Sequence, residues 1–159
     1  MGITLNIEKK GQWEQLSYAG PINEDAELHL MPLVTSLGPN VIMNFRKVEF
    51  VNSCGVRAWI NFLREVEKNR KVIFEECTPE IVSQINMIPN FRGSAHIKSV
   101  FASFACEKCD HHSWILFEEG RNLPQSADEG INMPKCERCG ADMEMDELED
   151  EFFAWIDAA

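Results

Sequence analysis

Two pairs of cysteines in the last third of the chain restrict its possible folds more than any other feature. Each pair has the spacing Cys-x-x-Cys, first at Cys106 and Cys109 and again at Cys136 and Cys139. Two thiolates three residues apart on a tight turn supply two corners of a tetrahedron, and a second such turn supplies the other two. The pattern predicts a structural zinc ribbon with all four cysteines as Zn²⁺ ligands, although iron also binds to four-thiolate sites.

The residues around these cysteines favour a closed structural site over a reactive one. The 26 residues between Cys109 and Cys136 predict an inserted hairpin or loop. Both pairs lie among turn residues, whereas a redox-active pair needs a thiol of low pKa at a helix N-terminus. His111 and His112 are either spare ligands or ordinary loop residues. A zinc enzyme or a thiol-redox protein is therefore the weaker alternative, and we expect no enzymatic activity.

The net charge lies almost entirely in the same C-terminal part of the chain. Residues 1–103 contain 11 Lys and Arg against 11 Asp and Glu, whereas residues 104–159 contain 4 against 15. Because affinity for nucleic acids depends on Lys and Arg that neutralise phosphates, this composition argues against a nucleic-acid partner.

Several features of the sequence favour a cytoplasmic protein. Paired cysteines that are free to bind metal indicate a reducing compartment. The first ten residues alternate like a strand and lack the apolar core of a signal peptide. No apolar run reaches the length of a membrane-spanning helix, so we expect no direct insertion into a membrane.

The first two thirds of the chain alternate between strand and helix patterns. Apolar alternation or compact apolar runs predict strands at 3–7, 13–19, 41–45, 47–51, 71–77 and 97–101. Helical spacing of apolar residues predicts helices that carry Leu28 to Val34, Val56 to Val66 and Ile81 to Ile88, with Pro32 shortening the first and Pro79 beginning the third. This order of elements predicts an α/β sandwich with a mixed sheet.

The C-terminal part contains a strand at 113–117, a polar loop at 120–130 and an acidic helix at 146–157. Leu148, Phe152, Trp155 and Ile156 line one stripe of this helix. The helix is either a lid over the ribbon or a docking element for a basic partner. The sequence therefore predicts three parts, a first domain at 1–103, a zinc ribbon at 104–145 and an acidic amphipathic helix at 146–159.

Two short turns suggest a family for the first domain. The segment Val51-Asn52-Ser53-Cys54-Gly55-Val56 joins a strand to a helix, and Gly20-Pro21-Ile22-Asn23 follows the second strand. In these motifs and in the order of its elements, the first domain resembles the STAS family, the anti-sigma factor antagonists and their relatives. The resemblance implies a STAS-like sandwich of a mixed β-sheet and helices, followed here by the zinc ribbon and the C-terminal helix.

The resemblance also implies a regulatory role for Ser53. In antagonists of this type, a partner kinase that is also the anti-sigma factor phosphorylates the first Ser of an Asp-Ser-Ser/Thr-Gly turn. Phosphate adds about −1.5 to −2 charges to a contact surface and releases a partner by repulsion. The alternative for Ser53 is a simple helix N-cap. Asn23 and Asn52 replace the Asp residues of the family, and Cys54 replaces its second Ser or Thr.

We therefore expect a non-enzymatic module for regulatory protein–protein interactions, with a kinase-like anti-sigma factor as partner. The alternative is a constitutive subunit of a larger complex, such as a lipid-transport ATPase system, that is never phosphorylated. Trp59 and Phe62 either widen the core or form an exposed patch. The expected partner surface consists of Asn23, Asn52, Ser53, Cys54, Gly55, Trp59 and Phe62.

Overall fold

The computed structural model describes residues 2–158, which form two compact units. Met1 and Ala159, the outer limits of the predicted domains, lie outside the described residues. The elements of the first unit are β1 (Thr4–Lys10), β2 (Trp13–Ile22), α1 (Ala26–Leu30), a 3-10 turn (Met31–Leu33), β3 (Asn40–Val51), α2 (Ser53–Glu67), β4 (Lys71–Glu75), α3 (Pro79–Met87), α4 (Pro89–Arg92) and β5 (His96–Ile97). Those of the second are β6 (Ser99–Cys106), β7 (His112–Glu118), β8 (Met143–Met145), α5 (Glu149–Phe152) and a 3-10 turn (Ala154–Ile156).

The first unit contains a five-stranded mixed sheet in the order β1-β2-β3-β4-β5. β1 and β2 form an antiparallel hairpin through Gly11, whose positive φ of 66° suits a tight turn. β2, β3, β4 and β5 are parallel, because helical segments separate each strand from the next. The predicted α/β sandwich with a mixed sheet is confirmed, and β3 covers both strands that the sequence predicts between 41 and 51.

The core of the first unit lies between the sheet and α2. The Trp59 ring packs edge-on against Phe45 at 5.3 Å and lies 5.6 Å from Phe62. The Trp59 indole N–H donates to the carbonyl of Phe91 at 2.8 Å. Trp59 is only 1% exposed and Phe62 is fully buried, so the interpretation of these two residues as an exposed partner patch is wrong. Their rings widen the apolar face of α2 instead.

Local signals set the limits of the shorter helices. α1 gives way to a 3-10 turn at Met31, where Pro32 removes a backbone donor, as predicted. α3 begins at Pro79, and the Thr78 hydroxyl accepts from the N–H of Ile81 at 3.3 Å. At the end of α2, the Arg70 guanidinium donates to four carbonyls, those of Val34, Val66, Leu37 and Gly38.

The second unit is built on a three-stranded antiparallel sheet in the order β7-β6-β8. Its core contains the rings of Phe104, Phe117, Phe152 and Phe153, with 5.6 Å between the centroids of Phe117 and Phe153. The unit begins at Ser99, because residues 99–103 form the first half of its central strand. The sequence-based boundary lies five residues later.

The predicted acidic helix at 146–157 is much shorter in the structure. Only Glu149–Phe152 is α-helical, and Phe153 leaves the helical conformation at φ −91° and ψ 11°. In a regular helix, consecutive side chains point about 100° apart, so two neighbouring rings are not directed to the same side. Phe152 and Phe153 are both buried here, and the helix ends between them. Leu148, predicted on the apolar stripe, is exposed.

Side chains cover one end of the β7 edge. The carbonyl of Leu116 accepts from the Asn122 amide and the Arg121 guanidinium, each at 2.9 Å. The Asn122 side chain also accepts from the N–H of Glu118 at 2.8 Å. These two residues take the hydrogen-bonding positions of a neighbouring strand. Among residues 2–158, no helix is long and apolar enough to cross a membrane.

Candidate functional site

The start of α2 is held by Asn52. Its backbone is extended, and its side-chain oxygen accepts from the N–H of Gly55 at 2.8 Å. Asn52 is therefore the N-cap and Ser53 is the first helical residue, so the alternative interpretation of Ser53 as the cap is wrong. The physical reason is that an N-cap needs non-helical backbone angles, which Asn52 has. The hydroxyl of Ser53 is left on the exposed side of the helix start.

The two turns that suggested the family meet at this point. The N–H of Asn52 donates to the carbonyl of Ile22 at 3.1 Å. A Cβ on Gly55 would lie 1.8 Å from the same carbonyl oxygen, so no residue larger than glycine fits without movement. Gly55 thus lets the start of α2 lie directly against the end of β2 and so fixes the position of Ser53.

Charged residues surround Ser53 on the surface. A shallow depression of about 480 Å³ is lined by Glu24, Glu27, Ser53, Cys54, Arg57 and Ala58. Arg57 lies four residues after Ser53 in α2 and therefore one turn further along the same face. The sequence analysis missed Glu27 and Arg57 as members of this site, although the four-residue spacing was a usable signal for Arg57.

Asn52 also binds the neighbouring carboxylate. Its side-chain N–H donates to Glu24 Oε2 at 3.1 Å. The backbone N–H of Glu24 and the Asn52 amide hold the pKa of the Glu24 carboxyl below its usual value. Asn23 has a similar local role, since its side-chain oxygen accepts from the N–H of Asp25 at 3.0 Å. An Asp at position 52 would face a second carboxylate where the amide now donates.

The structure therefore divides the predicted partner surface into two sets. Ser53 and Cys54 are exposed, and Asn23 and Asn52 are partly exposed beside them. Gly55 is buried beneath this group, and Trp59 and Phe62 lie in the core.

The four paired cysteines come together in the second unit. Their sulfur atoms all lie within 4.8 Å of one another, with 3.4 Å between Cys106 and Cys139 and 3.6 Å between Cys109 and Cys136. The edges of a ZnS₄ tetrahedron are ~3.8 Å, given Zn–S bonds of about 2.3 Å. The donor set fits a closed four-thiolate metal site. His111 Nε2 lies 3.1 Å from Glu137 Oε1. Among the residues that the structure describes, the group of candidate metal ligands consists of the four cysteines and includes no histidine.

Both cysteine turns are closed by the same type of backbone hydrogen bond. The N–H of Asp110 donates to the Cys106 carbonyl, and that of Gly140 donates to the Cys136 carbonyl. Asp110 and Gly140 each have positive φ, which closes the turn after the second cysteine of the pair. The N–H groups of Cys109 and Lys108 donate to Cys106 Sγ and lower the pKa of that thiol to about 6. These two bonds favour the thiolate form of Cys106, which is the form that binds metal, whereas the neighbouring thiols raise the pKa of Cys109.

Comparison of the sequence with protein-family models and with curated proteins finds no match. Solved structures do resemble it. An anti-sigma factor antagonist from Mycobacterium paratuberculosis is 17% identical, with a TM-score of 0.50 over 60% of this chain and 86% of that one. The anti-sigma factor antagonist SpoIIAA, in its unphosphorylated form, is 17% identical, with a TM-score of 0.45 over 59% and 87%.

The class of fold follows from the first of these likenesses together with the mixed sheet and its helices. The chain has the STAS-like fold that the sequence predicts, and its second unit carries four clustered cysteines.

Proposed function

We propose that this protein is a non-enzymatic regulatory module that binds a partner protein through the exposed surface around Ser53. The observation that carries the proposal is the position of Ser53, which is exposed as the first residue of a 15-residue helix and fixed by Gly55 beneath it. The fold shared with an anti-sigma factor antagonist supports the same class of role and favours a kinase-like anti-sigma factor as partner.

Phosphorylation of Ser53 would change this surface strongly. A phosphate adds about −1.5 to −2 charges beside Glu24 and Glu27, which raises the cost of contact with an acidic partner surface. The N-terminus of α2 and the Arg57 guanidinium favour the phosphorylated state, since both attract anions. In this proposal Ser53 is a switch that controls the affinity for the partner.

The direct test combines detection of phosphate with partner capture. Mass spectrometry of the protein from its native cells should find phosphate on Ser53. Ser53→Asp should release the partner that the wild type and Ser53→Ala retain. Thr35→Asp adds the same charge at an exposed position outside the depression and should retain the partner. Equal retention by all variants, with no phosphate on Ser53, would refute the switch.

A constitutive subunit is the second candidate, and one observation favours it. Asn23 and Asn52 both make local hydrogen bonds that stabilise their turns, and Asn52 also binds Glu24. Asn52→Asp would place two carboxylates together, so the turn is suited to an amide. If the partner is an ATPase complex retained by wild type and Ser53→Asp alike, the protein is such a subunit.

We further propose that the four cysteines bind Zn²⁺ and that the ion is structural. Support comes from the close approach of the four sulfur atoms and from the small apolar core of the second unit, which a metal site would stabilise. A bound ion holds the two cysteine turns together. Metal analysis of the purified protein should give one zinc per chain, and iron in its place would refute this assignment.

A further inference from the structure

The second unit has a sheet face that the proposed function does not use. Side chains alternate between the two faces of a strand, so Ser103 and Ala105 of β6 lie on the face opposite Phe104. Two cross-strand rows of residues form this part of the face. In the first row, Trp114 is opposite Ser103. Asp146 completes the row, since its N–H donates to the Ser103 carbonyl at 2.9 Å and its carboxylate accepts from the Ser103 hydroxyl.

The second row has the same order of chemical types. His112 is opposite Ala105 on one side, and Glu144 is opposite Ala105 on the other. The central positions of both rows are therefore small and half-buried, whereas the outer positions are large and exposed. The result is a trough along β6 with an aromatic wall on β7 and an acidic wall at β8. Because neighbouring strands are about 4.8 Å apart, the walls are roughly 10 Å apart at the backbone.

Trp114 distinguishes this trough from an ordinary solvated surface. Its side chain is 53% exposed, although it lies in the middle of a strand and packs against Phe101 at 5.9 Å. Trp is the best aromatic partner for a cation, and Asp146 lies across Ser103 from it. A guanidinium or ammonium group in the trough would contact the indole on one side and a carboxylate on the other.

We propose that this trough binds an extended basic segment of a partner protein. Successive rows are two residues apart along the strand, about 6.8 Å, which is the spacing of alternate side chains in an extended peptide. One Arg or Lys would lie between Trp114 and Asp146, and the next beside Glu144. The charge of the unit argues for the same occupant, because residues 104–159 contain 15 Asp and Glu against 4 Lys and Arg.

A labelled peptide of alternating arginine and alanine is the probe that tests this proposal. Fluorescence anisotropy with the zinc-loaded full chain should show saturable binding that weakens as salt rises. Trp114→Leu keeps an apolar residue but removes the ring system, and Glu144→Gln removes one carboxylate at nearly constant shape. Each should weaken binding about two- to fivefold, the usual effect of one cation–π contact or one exposed ion pair.

The control variant is Asp128→Asn, which removes one exposed carboxylate from the loop of the same unit. It should leave the affinity within measurement error. If it weakens binding as much as Glu144→Gln, the attraction is general and the proposal is refuted. No binding, or no effect of Trp114→Leu, refutes it as well.

Two further measurements identify other occupants. A neutral peptide of alternating serine and leucine that binds as tightly as the arginine peptide would show an apolar docking face and overturn the proposal. Self-association that Trp114→Leu abolishes, measured by sedimentation velocity, would assign the trough to a second copy of the chain and also overturn it. An indole N–H resonance that is absent in Trp114→Leu and shifts only with the basic peptide supports the proposal.

Discussion

Replacing Gly55 by alanine tests the claim that the start of α2 is held against β2 by close backbone contact. Alanine is favoured over glycine within helices by about 1 kcal/mol, so propensity alone predicts stabilisation. The structure predicts the reverse. The added Cβ would lie 1.8 Å from the carbonyl oxygen of Ile22 and 2.3 Å from its carbon, both of them backbone atoms with little freedom to move. The two segments must separate by about 1.2 Å or more to relieve the overlap.

The cost can be worked from the contacts that this separation affects. Overpacking of a tight site costs about 1–3 kcal/mol. The shift also strains the bond from the Gly55 N–H to Asn52, an N-cap interaction worth about 1 kcal/mol. After subtraction of the propensity gain, we expect a net loss of about 1–3 kcal/mol in the free energy of unfolding.

Urea unfolding of the zinc-loaded chain measures this loss. The indole N–H of Trp59 reports on the first unit, because it is hydrogen-bonded to the carbonyl of Phe91 in the core. With a slope of about 1–2 kcal/mol/M, the urea midpoint of Gly55→Ala should fall by about 0.5–3 M. Asn52→Ala removes the N-cap without adding a Cβ at position 55, so it should lower the free energy of unfolding by only about 1 kcal/mol. This variant therefore distinguishes the effect of the cap from that of the steric overlap. A midpoint for Gly55→Ala at or above that of wild type would refute the reasoning.

Three other perturbations have defined outcomes. Arg70→Ala should lower the unfolding free energy of the first unit by about 2–4 kcal/mol, because four carbonyls lose a charged donor, and Arg70→Lys should recover only part of it; thermal unfolding measures both. Thr78→Ala should cost about 2 kcal/mol, because the cap and a buried methyl group are both lost, and Thr78→Ser, which loses only the methyl group, about 1 kcal/mol or less; equal losses would show that the cap of α3 contributes nothing. Cys136→Ala or a strong chelator should abolish the dispersed NMR signals of the second unit and leave the Trp59 indole signal unchanged; retention of those signals without metal would contradict a structural ion.

The sequence was most informative where a pattern determines a local conformation. The Cys-x-x-Cys pairs, the proline at the start of α3 and the apolar spacing of α2 each correspond to a feature of the structure. Periodicity also indicated the mixed sheet, since strands separated by helices become parallel neighbours. These features depend on residues close together in the chain, and so they can be recognised without the tertiary structure.

The errors arose where long-range packing decides the outcome. Helical spacing could not show that Trp59 is covered, because Phe45, Phe74 and Phe91 approach it from distant segments. Propensity for a long acidic helix was overridden by the burial of two consecutive rings at Phe152 and Phe153. Glu27 joins the Ser53 site only through the fold.

The side chains that cover the end of the β7 edge bear on how the protein behaves at high concentration. An open strand edge offers its N–H and C=O groups to another chain and is a common starting point for aggregation. At this edge, the side chains of Asn122 and Arg121 hydrogen-bond to the Leu116 carbonyl, and that of Asn122 also to the Glu118 N–H. They do so without adding a strand that would itself have an open edge. The Asn122 side chain should therefore limit aggregation through this edge. A variant without it should first show a lower expression yield and precipitation during storage.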